Sequence, residues 1–219
     1  MQMLQLTFMG YLLLLPGAFL APIIHEYVKA RVSHKLGDTT IEKQGLDSFG
    51  FKKFFEPIGF FFMMYFQLGW GQPVQVSPLY YKDRKKGILL TYLVPIIVNM
   101  LIGLFVLLLW GAVRPALFLW AAQQAALGSA WPGLTVSHIE AGIILFARCN
   151  IGIALFNLLP INPLAGSKII PLFVSPDAAV RLSYYEKPLQ IIMVIMLMFG
   201  FLQAFLFPII NAITGLVGF

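Results

Sequence analysis

A histidine followed at once by a glutamate, His25-Glu26, closes a run from Met1 to Ile24 that carries no charge. On a helix such a pair can do hydrolytic chemistry. The imidazole ligates a metal, and the carboxylate takes a proton from metal-bound water. A zincin helix needs a second histidine four residues after the first, because that spacing puts both rings on one face. Here that position is Lys29. A protonated lysine has three donors and no lone pair, and its charge repels a dication. His34 does not substitute. Nine residues beyond His25, at about 100° per residue, it faces the opposite side of the helix. Glu26 and Lys29 are spaced i, i+3 and can meet. An ionisable group at membrane depth usually has a partner. The expectation is therefore that the lysine ammonium neutralises Glu26 where a metal would otherwise sit.

A second group of residues stands late in the chain, Asn157-Leu158-Leu159-Pro160-Ile161-Asn162-Pro163-Leu164-Ala165-Gly166. Asn162 is a poor zinc ligand, and Ala165 has nothing to donate. Arg148 is an isolated charge midway along an apolar stretch. Glu140, eight residues earlier, shares its face but lies about 12 Å along the axis, so Glu26 across the bundle is the other candidate partner. His138 falls at the opposite end of the same stretch.

The elements that must position these residues follow from composition. Of 219 residues, 59% are hydrophobic and 11% charged, too few charges to cover a soluble domain. Met1–Ile24, Gly87–Val113 and Pro188–Phe219 carry no charge. Each is long enough to cross about 30 Å of hydrocarbon, and backbone in lipid must pair within a helix. The first run lacks the basic residues of a cleaved signal peptide and is expected to be a true helix. The lone Cys149 excludes an internal disulfide. A net charge of +6 would suggest nucleic acid in a soluble chain. Here 13 of 15 Lys and Arg residues cluster in three stretches, 29–53, 82–86 and 168–187. That is the positive-inside pattern: three cytoplasmic loops, an outside N-terminus, a lipid bilayer as partner and no nucleic acid.

The expected elements are helices at about 4–33, 87–110, 138–160 and 188–207, the last bending at Pro208. The short apolar stretch at about 57–70 reads as re-entrant. Thr39-Thr40-Ile41 and Pro73–Ser77 read as strands of a small surface β-sheet. Residues 114–137, with Gln123, Gln124, Gly128 and Pro132 among them, read as an interfacial outside segment. Residues 1–219 form one membrane-embedded domain in this reading.

Several of these motifs together resemble the site-2 protease family, intramembrane zinc metalloproteases, in its short bacterial form. They are His25-Glu26, Gly37-Asp38-Thr39, Glu56-Pro57-Ile58-Gly59, Gly69-Trp70-Gly71-Gln72-Pro73-Val74, Asn150 and the Asn157-Leu158-Leu159-Pro160 run. Pro95 and Asn99 are spaced one residue wider than the family pattern, and Asn162 stands where a proline is usual. The resemblance implies an all-α polytopic helical bundle in a bacterial cytoplasmic membrane. It implies zinc ligands at the positions of His25, Lys29 and Ala165, with Glu26 as general base. Two of those three positions hold no ligand here. The expectation is a pseudoprotease without a cofactor, which binds a transmembrane helix of another protein and does not cut it. Asn157, Asn150 and Arg148 are further site candidates. The alternative is an active intramembrane zinc metalloendopeptidase with unorthodox ligands. A transport or channel subunit would rest only on Arg148 and Glu140.

Overall fold

The computed structural model describes residues 7–129 and 131–219. It contains α1 (Phe8–Lys35), α2 (Thr40–Lys43), α3 (Phe51–Phe54), α4 (Pro57–Phe66), α5 (Arg84–Ala126), α6 (Trp131–Phe156), α7 (Gly166–Ile169), α8 (Pro176–Tyr184), α9 (Glu186–Met198) and α10 (Phe201–Gly215). α1, α5 and α6 are long and apolar enough to cross a membrane, and α9 with α10 passes as one further, broken span. The chain is a polytopic helical membrane protein. The expected start of the first helix at Leu4 lies outside the described residues.

α5 begins where the Asp83 carboxylate caps the amide of Lys86 at 3.0 Å. It continues for 43 residues, about 64 Å and twice the hydrocarbon thickness. Of the segment read as interfacial, residues 114–126 continue α5 and 131–137 open α6. They form the far end of a helical hairpin in which α6 runs back along α5. Ala121 and Val136 are buried together with Trp110, which gives the hairpin its own apolar seam. The turn signals amount to one tight turn, where Gly128 takes φ +87°. Gln123 and Gln124 are good helix formers, and Pro132 falls in the first turn of α6, where its missing N–H costs nothing.

α10 runs antiparallel to α6. Leu202 and Leu206 pack with Phe156, Ile210 packs with Ala147 and Ile151, and Phe219 reaches Trp110 and Val136. α9 meets α10 at 72°. The bend falls at Gly200, which has φ +78°, rather than at Pro208, which stays inside α10.

α4 and the chain after it form a hairpin between α1 and α6. Met63 is buried against Leu14, Ala18, Ala21, Cys149 and Ile153. The neck closes where the Gln72 amide donates to the Phe54 carbonyl at 2.9 Å. Both limbs thus leave from the same side of the bundle. The limbs touch backbone to backbone: a Cβ on Gly59 would stand 2.0 Å from the Trp70 carbonyl oxygen.

The expected surface sheet is absent: no strand forms among the described residues. Thr40 and Ile41 open the short helix α2. Pro73–Ser77 has no neighbouring strand, because side chains satisfy its backbone instead. The Val74 amide donates to Glu26 Oε2 at 2.8 Å and the Ser77 amide to Asp38 Oδ2 at 2.7 Å. The Gln75 carbonyl accepts from Gln44 Nε2 at 3.1 Å.

Candidate functional site

His25, Glu26 and Lys29 lie on the last turns of α1, exposed by only 3%, 7% and 4%. Lys29 Nζ stands 2.5 Å from Glu26 Oε2, the same oxygen that receives the Val74 amide. Lys29 Nζ also lies 5.8 Å from the centre of the Tyr92 ring on α5. The carboxylate therefore faces an ammonium and a backbone N–H, both drawn in by the hairpin and α5. Gly71 permits this approach, since a Cβ there would come within 2.8 Å of the Pro22 carbonyl oxygen and 3.1 Å of Glu26 Cγ.

Beside the pair, His25, Glu26, Trp70, Gly71, Asn157 and Pro163 border a gap of about 10 Å³, room for roughly one water. Nδ1 of His25 is buried and has no hydrogen-bond partner. Asn157 holds the loop that follows α6. Its carbonyl accepts from the Gly166 amide at 2.8 Å, and its Nδ2 donates to the Ile153 carbonyl at 3.0 Å. Ala165, at the position where the resemblance implies an aspartate, is buried against Ile96 and Ala154 with Tyr92 packed beside them, and its amide donates to Asn157 Oδ1 at 3.5 Å. Asn150 is one step removed. Asn99 Nδ2 donates to Asn150 Oδ1 at 3.1 Å and to the Ala21 carbonyl at 3.0 Å, joining α1, α5 and α6 one helical turn from His25. Asn162 is drawn off to Glu186, 2.6 Å away, and His138 is exposed on α6.

Arg148 belongs to a different place. It donates to Asn211 Oδ1 on α10 at 2.6 Å and meets neither of its expected partners. Glu26 is held by Lys29, and Glu140 by Arg114 at 2.5 Å. Arg114 reaches Glu140 because α5 continues past Trp110, where the sequence reading ends the helix.

Three residues that shape the site do not stand out in the sequence. Tyr92 carries no signal, because a lone tyrosine on an apolar helix reads as core. Asn99 shows only as part of an imperfect motif match. Asp38 reads as part of a turn, and in the structure it is a buried hub. Its Oδ2 accepts from Ser33 Oγ at 2.8 Å and from the Ser77 amide at 2.7 Å. Its Oδ1 accepts from Thr40 Oγ1 at 2.6 Å. Ser33 in turn meets Tyr81, and Tyr81 meets Thr91 on α5. Asp38 thereby anchors the segment whose Val74 reaches Glu26. Burial alone would raise its carboxyl pKa, but the hydrogen bonds from Ser77, Thr40 and Ser33 outweigh burial and hold it below the usual carboxylate range. A depressed folded pKa gives stability that is complete above the ordinary aspartate range and is lost as pH falls through the lowered value. Acid titration of thermal stability in detergent should show this loss, and Asp38→Asn should flatten it.

Zinc requires three protein ligands and an open position. The group here supplies one imidazole with a free nitrogen, a carboxylate already bound by an ammonium, and a methyl group. That donor set does not fit a zinc ion. Among the described residues no group of three His, Cys, Asp or Glu side chains converges to hold a metal.

The fold and the site together define a class: a polytopic helical membrane protein with a buried His-Glu-Lys cluster at the end of one helix, closed by an Asn-Leu-Leu-Pro loop and a glycine-tight hairpin. Over 192 residues, 86% of this chain and 81% of the relative, it is 28% identical to the Bacillus subtilis (strain 168) protein named "Putative zinc metalloprotease YwhC". The likeness thus runs over most of both chains. No protein-family profile matches, and no solved structure matches significantly.

Proposed function

We propose that the chain is a site-2-protease-like membrane protein in which the Lys29–Glu26 pair takes the place of a zinc centre, and that it binds a transmembrane partner or substrate helix without cleaving it. The observation that carries this reading is the 2.5 Å contact between two buried charges. An ammonium there supplies the compensating charge a metal would give Glu26 and withdraws the carboxylate from service as a base. Tyr92, whose ring faces Lys29, also lines a cavity of about 320 Å³ with Asn162, Lys168 and Glu186, which offers a bound segment a place beside the pair. In this reading the hairpin re-enters the bacterial cytoplasmic membrane from the cytoplasmic side, the basic loops are cytoplasmic and the N-terminus is outside.

A second reading, an active intramembrane zinc metalloprotease with Glu26 as general base, draws on one observation. His25 Nδ1 has no partner and is buried beside a water-sized gap. The name of the Bacillus relative points the same way. It requires Lys29 to leave Glu26.

Restoring the ligands separates the two. The Lys29→His/Ala165→Asp variant should acquire zinc, measured as metal per chain after desalting. Without metal it should be less stable than the parent, because the new carboxylate lies against Ile96 and Ala154. If the parent and the variant carry the same zinc, the substitution of the centre by Lys29 is wrong.

A further inference from the structure

Arg148 is set at mid-depth. On α6, Glu140 lies eight residues before it and Phe156 eight residues after it, about 12 Å in each direction. Glu140 meets Arg114 at one polar boundary of the bundle, and Phe156 lies beside Asn157 at the other. The guanidinium is not drawn toward either boundary. It is fixed sideways by Asn211 Oδ1 at 2.6 Å, with its centre 5.8 Å from the Phe207 ring. Gln67 at the hairpin tip, Arg148, Phe207 and Ile210 line a shallow crevice there. Asn211 is exposed and Arg148 half-buried, so this polar patch faces out of the bundle, toward hydrocarbon.

A guanidinium has five N–H donors and a full charge. Asn211 satisfies one donor and none of the charge. The chain has nine acidic residues. Glu26 and Glu140 are engaged. Six others (Asp38, Glu42, Asp47, Glu56, Asp83 and Asp177) lie in segments beyond the spans, on the side of the basic loops, and Glu186 is the first residue of α9, at the same end beside Lys168. No carboxylate of this chain, or of a second copy of it, stands at that depth. A lipid phosphate would sit at the membrane surface, roughly 12 Å away along the helix. Charges inside a membrane pair with one another, so the missing counter-charge has to come from outside the chain.

We propose that Arg148, Asn211 and Gln67 form a docking surface for a transmembrane helix of another protein that carries an aspartate or glutamate near its midpoint. The carboxylate pairs with the free face of the guanidinium, and the Asn211 amide orients it. This surface is separate from the Lys29–Glu26 pair, so its failure leaves the reading of that pair untouched.

The test uses the whole protein in phosphatidylcholine vesicles with labelled Leu/Ala transmembrane peptides that carry a central Asp, Asn or Leu. Association is read by energy transfer. The Asp peptide should bind the parent protein about tenfold tighter than the Leu peptide. Arg148→Gln should abolish that preference, and Arg148→Lys should keep most of it. Equal binding of the Asp and Leu peptides to the parent overturns the proposal without recourse to any variant. So does an Asp preference that survives Arg148→Gln, and so does an Asn peptide that matches Asp. Loss of the preference on adding phosphatidylglycerol would assign the site to a lipid headgroup and overturn it as well.

Discussion

Lys29→Met is expected to destabilise the detergent-solubilised protein by about 3–5 kcal/mol, the cost of leaving one member of a buried ion pair uncompensated. Both partners are nearly inaccessible, so water cannot screen the orphaned Glu26 carboxylate. Glu26→Gln alone should be similarly harmful, because it strands the ammonium. The double variant Glu26→Gln/Lys29→Met should recover most of the loss. It removes both charges, and a glutamine carbonyl can still accept from the Val74 amide, as Glu26 does. Arg31→Met is the comparison: Arg31 donates to the Asp47 carbonyl in a partly buried setting and should cost about 1 kcal/mol. Thermal unfolding midpoints decide the matter. Equal midpoints for the Lys29 and Arg31 variants would mean that the pair compensates nothing.

Gly59→Ala is expected to cost about 3 kcal/mol, the upper end of what overpacking costs in a well-packed interior. The added methyl would meet the Trp70 carbonyl oxygen at 2.0 Å, and a backbone atom cannot swing aside as a side chain can. The limbs of the hairpin would have to part, carrying Gly71 and Val74 away from Glu26. Gly133→Ala in α6 meets nothing within 4 Å and should leave stability unchanged or raise it by up to about 1 kcal/mol. Urea or thermal unfolding of the two variants side by side provides the check. A Gly59 variant as stable as the parent would mean that the limbs are not in contact.

These expectations also mark where the residues could be read from their order alone. The membrane spans were legible because an uncharged run of sufficient length is a local property. The Lys29–Glu26 contact was legible because i, i+3 neighbours on a helix meet whatever surrounds them. The surface sheet failed for the opposite reason. Pro73–Ser77 has a strand's pattern, but its partners are carboxylates 48 and 39 residues earlier in the chain, which no local pattern announces. Asp38 was hidden in the same way, since its role depends on Ser77 and, through Ser33, on Tyr81. Arg148 pairs across 63 residues with Asn211, an uncharged residue that a search for counter-ions passes over. The helical hairpin of α5 and α6 is not legible in the sequence, because glutamine, glycine and serine together obscure the continuation of α5 past Trp110. Among the described residues there, Gly128 alone takes a positive φ. At the α9–α10 break the backbone freedom of Gly200 mattered more than the ring of Pro208.

The most direct test is the zinc content of the parent protein, purified in detergent, incubated with excess zinc and passed through gel filtration. If Lys29 has taken the place of the metal, no stoichiometric zinc should remain with the chain. Retention of about one zinc per chain, lost on His25→Ala, would contradict the claim, because a lone imidazole facing an ammonium cannot hold the ion without further ligands.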